Sequence, residues 1–371
     1  AGGSIVFGLS FTLLGLLFSA VAMAAAEITD NTRVVYGSTG AVLGASFLVR
    51  AVGDVGDGTV SWLSPIGWAQ KARPFAGDKL WPLAFLIVST VVVSMGARHL
   101  AARRDLGSGL IPPRPGRPNA APGLRDPFGL AVRLQRGSVV GWGLGILVMA
   151  VAYGSIAPTI NDFIGHNKAL ADMFAAGHGS LTDTYFATSI QIVALIGAGF
   201  AIQSALRLRS EETALRAEPL LATPVSRHRW ALSHLAVAFG GTLALLAVAG
   251  LSMGVSYAVA GGTMAATPDL LGAALAYVPA VWVMLGVAFA LVGLVPRATI
   301  VAWLALVLCL VIGLLGQLLR LSQWVRDISP FDHVPRLPAA DARLVPIALL
   351  LALTAGLCAA GMAGLRRRDI G

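Results

Sequence analysis

Ionisable side chains are sparse in this 371-residue chain, and one short stretch is dense in them. The stretch 207–230 carries five arginines, Arg207, Arg209, Arg216, Arg227 and Arg229, and three glutamates, Glu211, Glu212 and Glu218. It lies directly between two apolar runs, where a helical hairpin needs only a few residues to reverse direction. So many charges suit contact with a soluble partner better than bond making. A second group, Asp162, His166, Asp172, His178 and Asp183, has side chains of the kind that bind zinc, but its spacing fits no compact metal signature. It reads as a solvated loop, and no metal site is expected. The chain contains no GxxxxGK[S/T] phosphate loop, HExxH or GxSxG, and no span holds a cluster of acids. No residue is therefore assigned as catalytic. Both an intramembrane hydrolase and a proton-coupled pump lose their usual chemistry. Cys309 and Cys358 sit inside apolar runs as small hydrophobes, without a disulfide framework or zinc spacing.

The surrounding chain is membrane-like. It is 56% hydrophobic and 12% charged, against about 25% charged for soluble domains. The net charge of +9 does not indicate nucleic acid, because the arginines cluster at the ends of apolar runs, as topology-setting residues do. The arginine bias fits a GC-rich bacterial genome. A helix needs roughly 20 apolar residues to cross the hydrocarbon core. By that rule an all-α polytopic membrane protein is expected, with nine spans near 4–26, 34–53, 81–101, 138–160, 186–206, 231–259, 270–294, 298–319 and 344–365. Arginines crowd the connections 103–136 and 207–229 and place them in the cytoplasm, together with the C-terminus.

The third span ends in Arg103-Arg104-Asp105-Leu106-Gly107 and the chain ends in Arg367-Arg368-Asp369-Ile370-Gly371. Ser64-Pro65 precedes the third span and Ser329-Pro330 the ninth, at nearly the same separation from those ends. Such recurrence marks duplicated transporter halves. Residues 1–107 are then the last three spans of a first half, 108–126 a Pro/Gly-rich linker, and 127–371 a six-span second half. A twelve-span parent with three more spans upstream is the corresponding expectation. Asp126 and Pro127 suit a helix start. Phe128, Ala131 and Val132 then share a face apart from Arg133 and Arg136, so 127–136 reads as an interfacial amphipathic helix.

Within the spans, Gln191, Met253, Tyr257, Tyr277, Trp282 and Met284 are candidates to line a substrate path, because intramembrane polar groups face the protein interior and methionine gives an adaptable apolar surface. Ser64, Pro65, Ser329 and Pro330 open segments too polar to span. These are expected to dip back toward the outer face as gate elements. Arg50 and Asp54 have i,i+4 spacing suited to a snorkelling pair.

Glu211-Glu212, Arg216-Ala217-Glu218 and Leu221-Ala222-Thr223-Pro224-Val225-Ser226-Arg227 resemble the cytoplasmic segment of class-2 ABC exporter permeases, most of all bacterial polyketide-antibiotic and multidrug exporter permeases. The likeness runs over the whole chain, with one departure: many relatives have glycine where Leu215 stands, which puts the local turn in question. The resemblance implies a permease in the bacterial cell membrane that moves hydrophobic or amphipathic small molecules outward. It also implies a separate ATPase subunit, a dimer, that uses ATP and Mg, with no cofactor in this chain. Partner contacts fall on Glu211, Glu212, Arg216, Glu218, Thr223, Pro224 and Arg227. The alternatives are an ion-coupled carrier with duplicated halves and a non-transport membrane assembly subunit. In the residues themselves, Ser210 offers a cap for a short helix with Glu211 and Glu212 in its first turn, Pro219 a stop, and Thr223-Pro224 the start of a second helix.

Overall fold

The computed structural model describes residues 2–55, 58–103, 109–110, 118–160, 180–316, 319–340 and 344–368. Every regular element among them is helical. Among the described residues, seven helices are long and apolar enough to cross a membrane, and two shorter apolar helices, 34–50 and 300–315, fall at the other two positions read from the sequence. The chain is an all-α, multi-pass membrane protein. It divides into two compact units, 1–118 and 119–371, and the division falls inside the expected linker.

In the first unit, α1 (Gly2–Ile28), α2 (Thr32–Val55), α3 (Pro65–Lys71) and α4 (Trp81–Ala101) follow one another. α1 lies along α4 over a small core of Val6, Leu17, Ala72, Leu83 and Leu86. Ser64 is the cap of α3: its hydroxyl accepts from the Gly67 amide and donates to the Ser46 carbonyl of α2 at 2.6 Å. Proline in the first turn costs nothing there, since that amide has no intrahelical partner. Trp62 stacks on Trp81 at 5.1 Å, and Trp68 packs on Phe85. Arg50 donates to Gln70 Oε1 of α3 at 2.8 Å. The Asp54 side chain is outside the description.

The second unit is built around two buried helices. α6 (Leu181–Thr213) and the pair α9 (Ala266–Ala276) and α10 (Val278–Leu294) have 78% and 72% of their apolar windows buried. Within those windows no side of the helix is strongly polar, as expected of helices enclosed by others. α5 (Pro127–Ile156), α8 (Arg227–Val259), α11 (Ile300–Leu315) and α13 (Leu344–Arg367) pack around them, with short α7 (Ala217–Leu221) and α12 (Gln323–Arg326) in the connections. The expected span at 270–294 is interrupted at Tyr277, because Pro279 has no amide to continue the ladder.

Small residues let these helices touch. A Cβ on Gly293 of α10 would lie 2.0 Å from the Gly361 carbonyl oxygen of α13, and one on Gly154 of α5 would meet the Met253 carbonyl of α8 at 2.2 Å. Without water to drive association, such backbone approach is the main source of packing energy between spans.

The interfacial helix at 127–136 is not a separate element. Asp126 caps it as expected, accepting from the Phe128 amide at 3.2 Å, but α5 runs without a break to Ile156. Its buried stripe is Pro127, Ala131 and Gln135, whereas Phe128 and Val132 are exposed. No proline stands between 128 and 156 to end the helix, and the glycines at 137, 141, 143 and 145 are tolerated.

Candidate functional site

The charged stretch 207–230 folds as the reversal between α6 and α8, and its local structure differs from the one its residues suggested. α6 starts at a capping box, in which Ser180 and Asp183 bond reciprocally, and continues past its apolar part through Arg207 to Thr213. Ser210 does not cap a new helix; its hydroxyl donates back to the Arg207 carbonyl at 2.8 Å. Glu211 and Glu212 therefore occupy a last turn, not a first one. The i,i+4 pair Arg207–Glu211 and the i,i+3 pair Arg209–Glu212 favour this continuation.

Carboxylates at a helix C-terminus oppose the dipole, so they need cations. Glu211 has Arg207 Nη2 at 2.6 Å and Arg216 Nε at 2.7 Å. Glu212 has Arg209 Nη1 at 3.3 Å and Arg368, from the end of α13, at 2.5 Å. The two glutamate side chains are only 6% and 5% exposed. Burial opposes ionisation of Glu211, but the hydrogen bond from Arg216 and the charges of Arg207 and Arg216 outweigh it, holding its carboxyl below the usual range.

The helix then closes in a left-handed turn. Leu215 has φ +54, its amide bonds to the Glu212 carbonyl, and the Arg216 amide bonds to the Glu211 carbonyl. These two bonds define a Schellman closure, whose left-handed position normally takes glycine. Leucine keeps the turn that its side chain disfavours, and it projects outward, 61% exposed.

After the closure, α7 carries Pro219 inside its first turn instead of ending there. Thr223 donates to the Leu220 carbonyl at 2.6 Å and caps nothing; the cap of α8 is Ser226, which accepts from the Arg229 amide. Arg216, Glu218, Thr223 and Pro224 are exposed, Arg227 is half-buried, and Glu211 and Glu212 are buried beneath them.

Three long-range contacts fasten the reversal to the rest of the unit. Arg229 pairs with Asp126 at 2.7 Å, Arg227 donates to the Arg368 carbonyl at 2.8 Å, and Arg366 donates to His228. Below them, Gln135 of α5 sits 3.2 Å from His234 Nδ1 and accepts from Ser204 of α6, so a buried polar chain joins three helices. None of these pairings was read from the sequence. The arginine-rich chain end was visible, but only as a repeat; nothing local to 207–230 points to a residue more than a hundred positions away.

The six residues proposed to line a path do not gather around one described cavity. Met253, Tyr277 and Met284 are packed in the core, and Gln191 is buried. Tyr257 packs edge-on against Phe186 at 5.1 Å. Trp282 does line an apolar groove of about 530 Å³, with Leu232 and Phe239 of α8 and Leu351, Thr354 and Cys358 of α13. The Trp282 indole N–H is buried without a hydrogen-bond partner among the described residues. Ser64 and Ser329 are both fully buried, and each precedes a proline that opens a helical turn, α3 in one case and the 3-10 turn Pro330–His333 in the other. Of the loop acids and histidines, Asp183 belongs to the α6 cap, and the other four lie outside the described residues.

A family model for the C-terminal domain of the multidrug efflux system permease Rv1217c matches residues 124–366. The chain is 40% identical to the multidrug efflux system permease protein Rv1217c of Mycobacterium tuberculosis (strain ATCC 25618 / H37Rv), over 99% of this chain and 68% of that protein.

Proposed function

The chain belongs to the family of the multidrug efflux system permease Rv1217c, and from that premise we propose that it is the membrane-spanning part of an ATP-driven exporter of hydrophobic or amphipathic small molecules. ATP and Mg are used by a separate ATPase subunit, a dimer, that docks on the reversal 207–230 from the cytoplasm. This chain then catalyses nothing itself. The C-terminus shares that side, because Arg368 is bonded to Glu212 and Arg227.

One observation carries the reading: an exposed, stiff tip standing on a clamped base. Thr213 to Arg216, Glu218, Pro219 and Ala222 to Pro224 are exposed. Directly beneath, two buried carboxylates are held by four arginines. A push on such a tip enters α6 and α8 together instead of being lost in loop motion. Turning around a helix end needs neither a buried ion cluster nor an exposed leucine.

The test is Leu215→Asp and Glu218→Lys, each co-expressed with the ATPase. Both are expected to insert normally, to co-purify less ATPase, and to lose drug-stimulated ATP hydrolysis. Full stimulation in both variants would refute docking at this tip. An ion-coupled carrier draws support from the buried chain Ser204–Gln135–His234; efflux from energised vesicles depleted of ATP would establish that reading instead.

A further inference from the structure

The sequence neighbours of the tip are α6 and α8, and a mechanical input would be expected to stop there. The structure adds a third helix. Arg368, at the end of α13, bonds Glu212 with its guanidinium while its own carbonyl accepts from Arg227 of α8. One residue thus bridges the last turn of α6 and the first turn of α8. Arg366, one half-turn earlier, reaches His228. The bond to Glu212 is sheltered, with the Arg368 side chain 19% and the Glu212 side chain 5% exposed. Screening by salt is weak at such a pair; removing Glu212 leaves the sheltered Arg368 charge without its carboxylate, and removing Arg368 leaves the buried Glu212 with Arg209 alone.

α13 is in turn joined to α10 along its length. Gly361 and Gly364 face Gly293 at backbone contact, and Gly286 faces Leu357. α10 contributes Trp282 to the lining of the apolar groove and α8 contributes Leu232 and Phe239, with Phe239 packed edge-on against Trp282 at 5.0 Å. All three helices that line the groove are therefore fastened to the same reversal: α8 through the chain, and the α10–α13 pair through Arg368.

We infer that Arg368 and Glu212, assisted by Arg227, are positioning residues that make α13 move as one body with the tip, so that the input reaches the α8/α10/α13 groove through all three of its helices. This inference rests on the reading of 207–230 as the docking site. Glu212 then acts inside the fold, not at the partner surface, and its substitution works through α13.

Two measurements on the full chain, the first made together with its ATPase, test this. In the first, Glu212→Gln, Arg368→Gln and the double variant are compared in membrane vesicles by efflux of rhodamine 6G at matched protein levels. Each single variant is expected to lower the maximal rate about tenfold with the half-saturating dye concentration unchanged, and the double variant to fall no further. An additive loss of about a hundredfold, or a shift confined to half-saturation, would overturn the inference. In the second, a Cys309→Ala/Cys358→Ala chain carries spin labels at Glu218→Cys and Arg367→Cys. The distance distribution is expected to be narrow in this parent, broad after Arg368→Gln and intermediate after Arg368→Lys. Equal widths in all three overturn the proposal. The second measurement needs no ATP dependence, so efflux found to be independent of the ATPase would sink the docking assignment while leaving the distances to judge the bridge.

Discussion

Adding one methyl group to Gly293 should separate two helices. Its Cβ would lie 2.0 Å from the Gly361 carbonyl oxygen, where ordinary contact begins at 3.4 Å, so the backbones must part by up to the difference, 3.4 − 2.0 = 1.4 Å. The neighbouring atoms are backbone and cannot rotate away. A gap of about 0.5–1 Å already forfeits a quarter to a half of the dispersion energy across a contact. Overpacking of this kind costs about 1–3 kcal/mol, against a helix-propensity gain of up to about 1 kcal/mol for alanine over glycine. Net destabilisation by Gly293→Ala of up to about 2 kcal/mol follows, with sterics deciding the sign. Gly356→Ala is the control: it lies on α13, is exposed, and has nothing within 4 Å of its Cβ, so it should be neutral or gain slightly. Thermal loss of the monodisperse peak in detergent, followed by size-exclusion chromatography after heating, ranks the parent and both variants. The reasoning is refuted if Gly293→Ala is as stable as Gly356→Ala.

Other expectations follow from the same contacts. Ser226→Ala removes the α8 cap and should cost about 1 kcal/mol in a heating assay, while Thr223→Ala should change little. Equal effects would return the cap to Thr223. Gln135→Leu leaves Ser204 and His234 without their shared partner and should destabilise by about 1–3 kcal/mol per orphaned group, measured the same way. The lowered Glu211 carboxyl contributes stability above its unfolded value of about 4.3, and this is lost as pH falls through the lower folded value. Glu211→Gln should therefore flatten the acid limb of stability below about pH 4.5 and lower the plateau above it, as read by melting from pH 3 to 7.

What the sequence disclosed depended on how far each signal reaches. The spans were plain because a helix must cover the hydrocarbon core with apolar residues wherever it is. Caps at Ser64 and Asp126 were plain too, since the proline after each leaves one start point. At 207–230 two local signals competed. Ser210 and Thr223 look like caps, but Arg207 and Arg209 lie one turn before Glu211 and Glu212, and those pairs extend α6 over Ser210. Leu215 shows the same limit from the other side. The glycine expected there is absent, and the left-handed turn forms regardless, because the two closing hydrogen bonds and the arginine cluster hold it. Arg368 was invisible as a partner of Glu212, since only the packing of α13 brings them together. The packed core positions of Met253, Tyr277 and Met284 were equally beyond reach: polar and adaptable side chains fill gaps between helices as readily as they line a path.

The length of α6 has a mechanical consequence. Its 33 residues extend about 50 Å at 1.5 Å per residue, whereas the hydrocarbon core takes up about 30 Å. About two-fifths of the rod, about 20 Å, therefore lies beyond the lipid, part of it on the charged side. Such a rod is a lever with its fulcrum at mid-membrane. With an arm of about 30 Å, a tilt of about 10° sweeps its end sideways by about 5 Å, close to one helical turn. At a depth of about 10 Å, where a groove wall would sit, the same tilt moves side chains by less than 2 Å. If the ATPase docks at this tip, a large stroke there would become a small, forceful one within the bundle, enough to loosen the hold on a bound molecule without unpacking the helices around it.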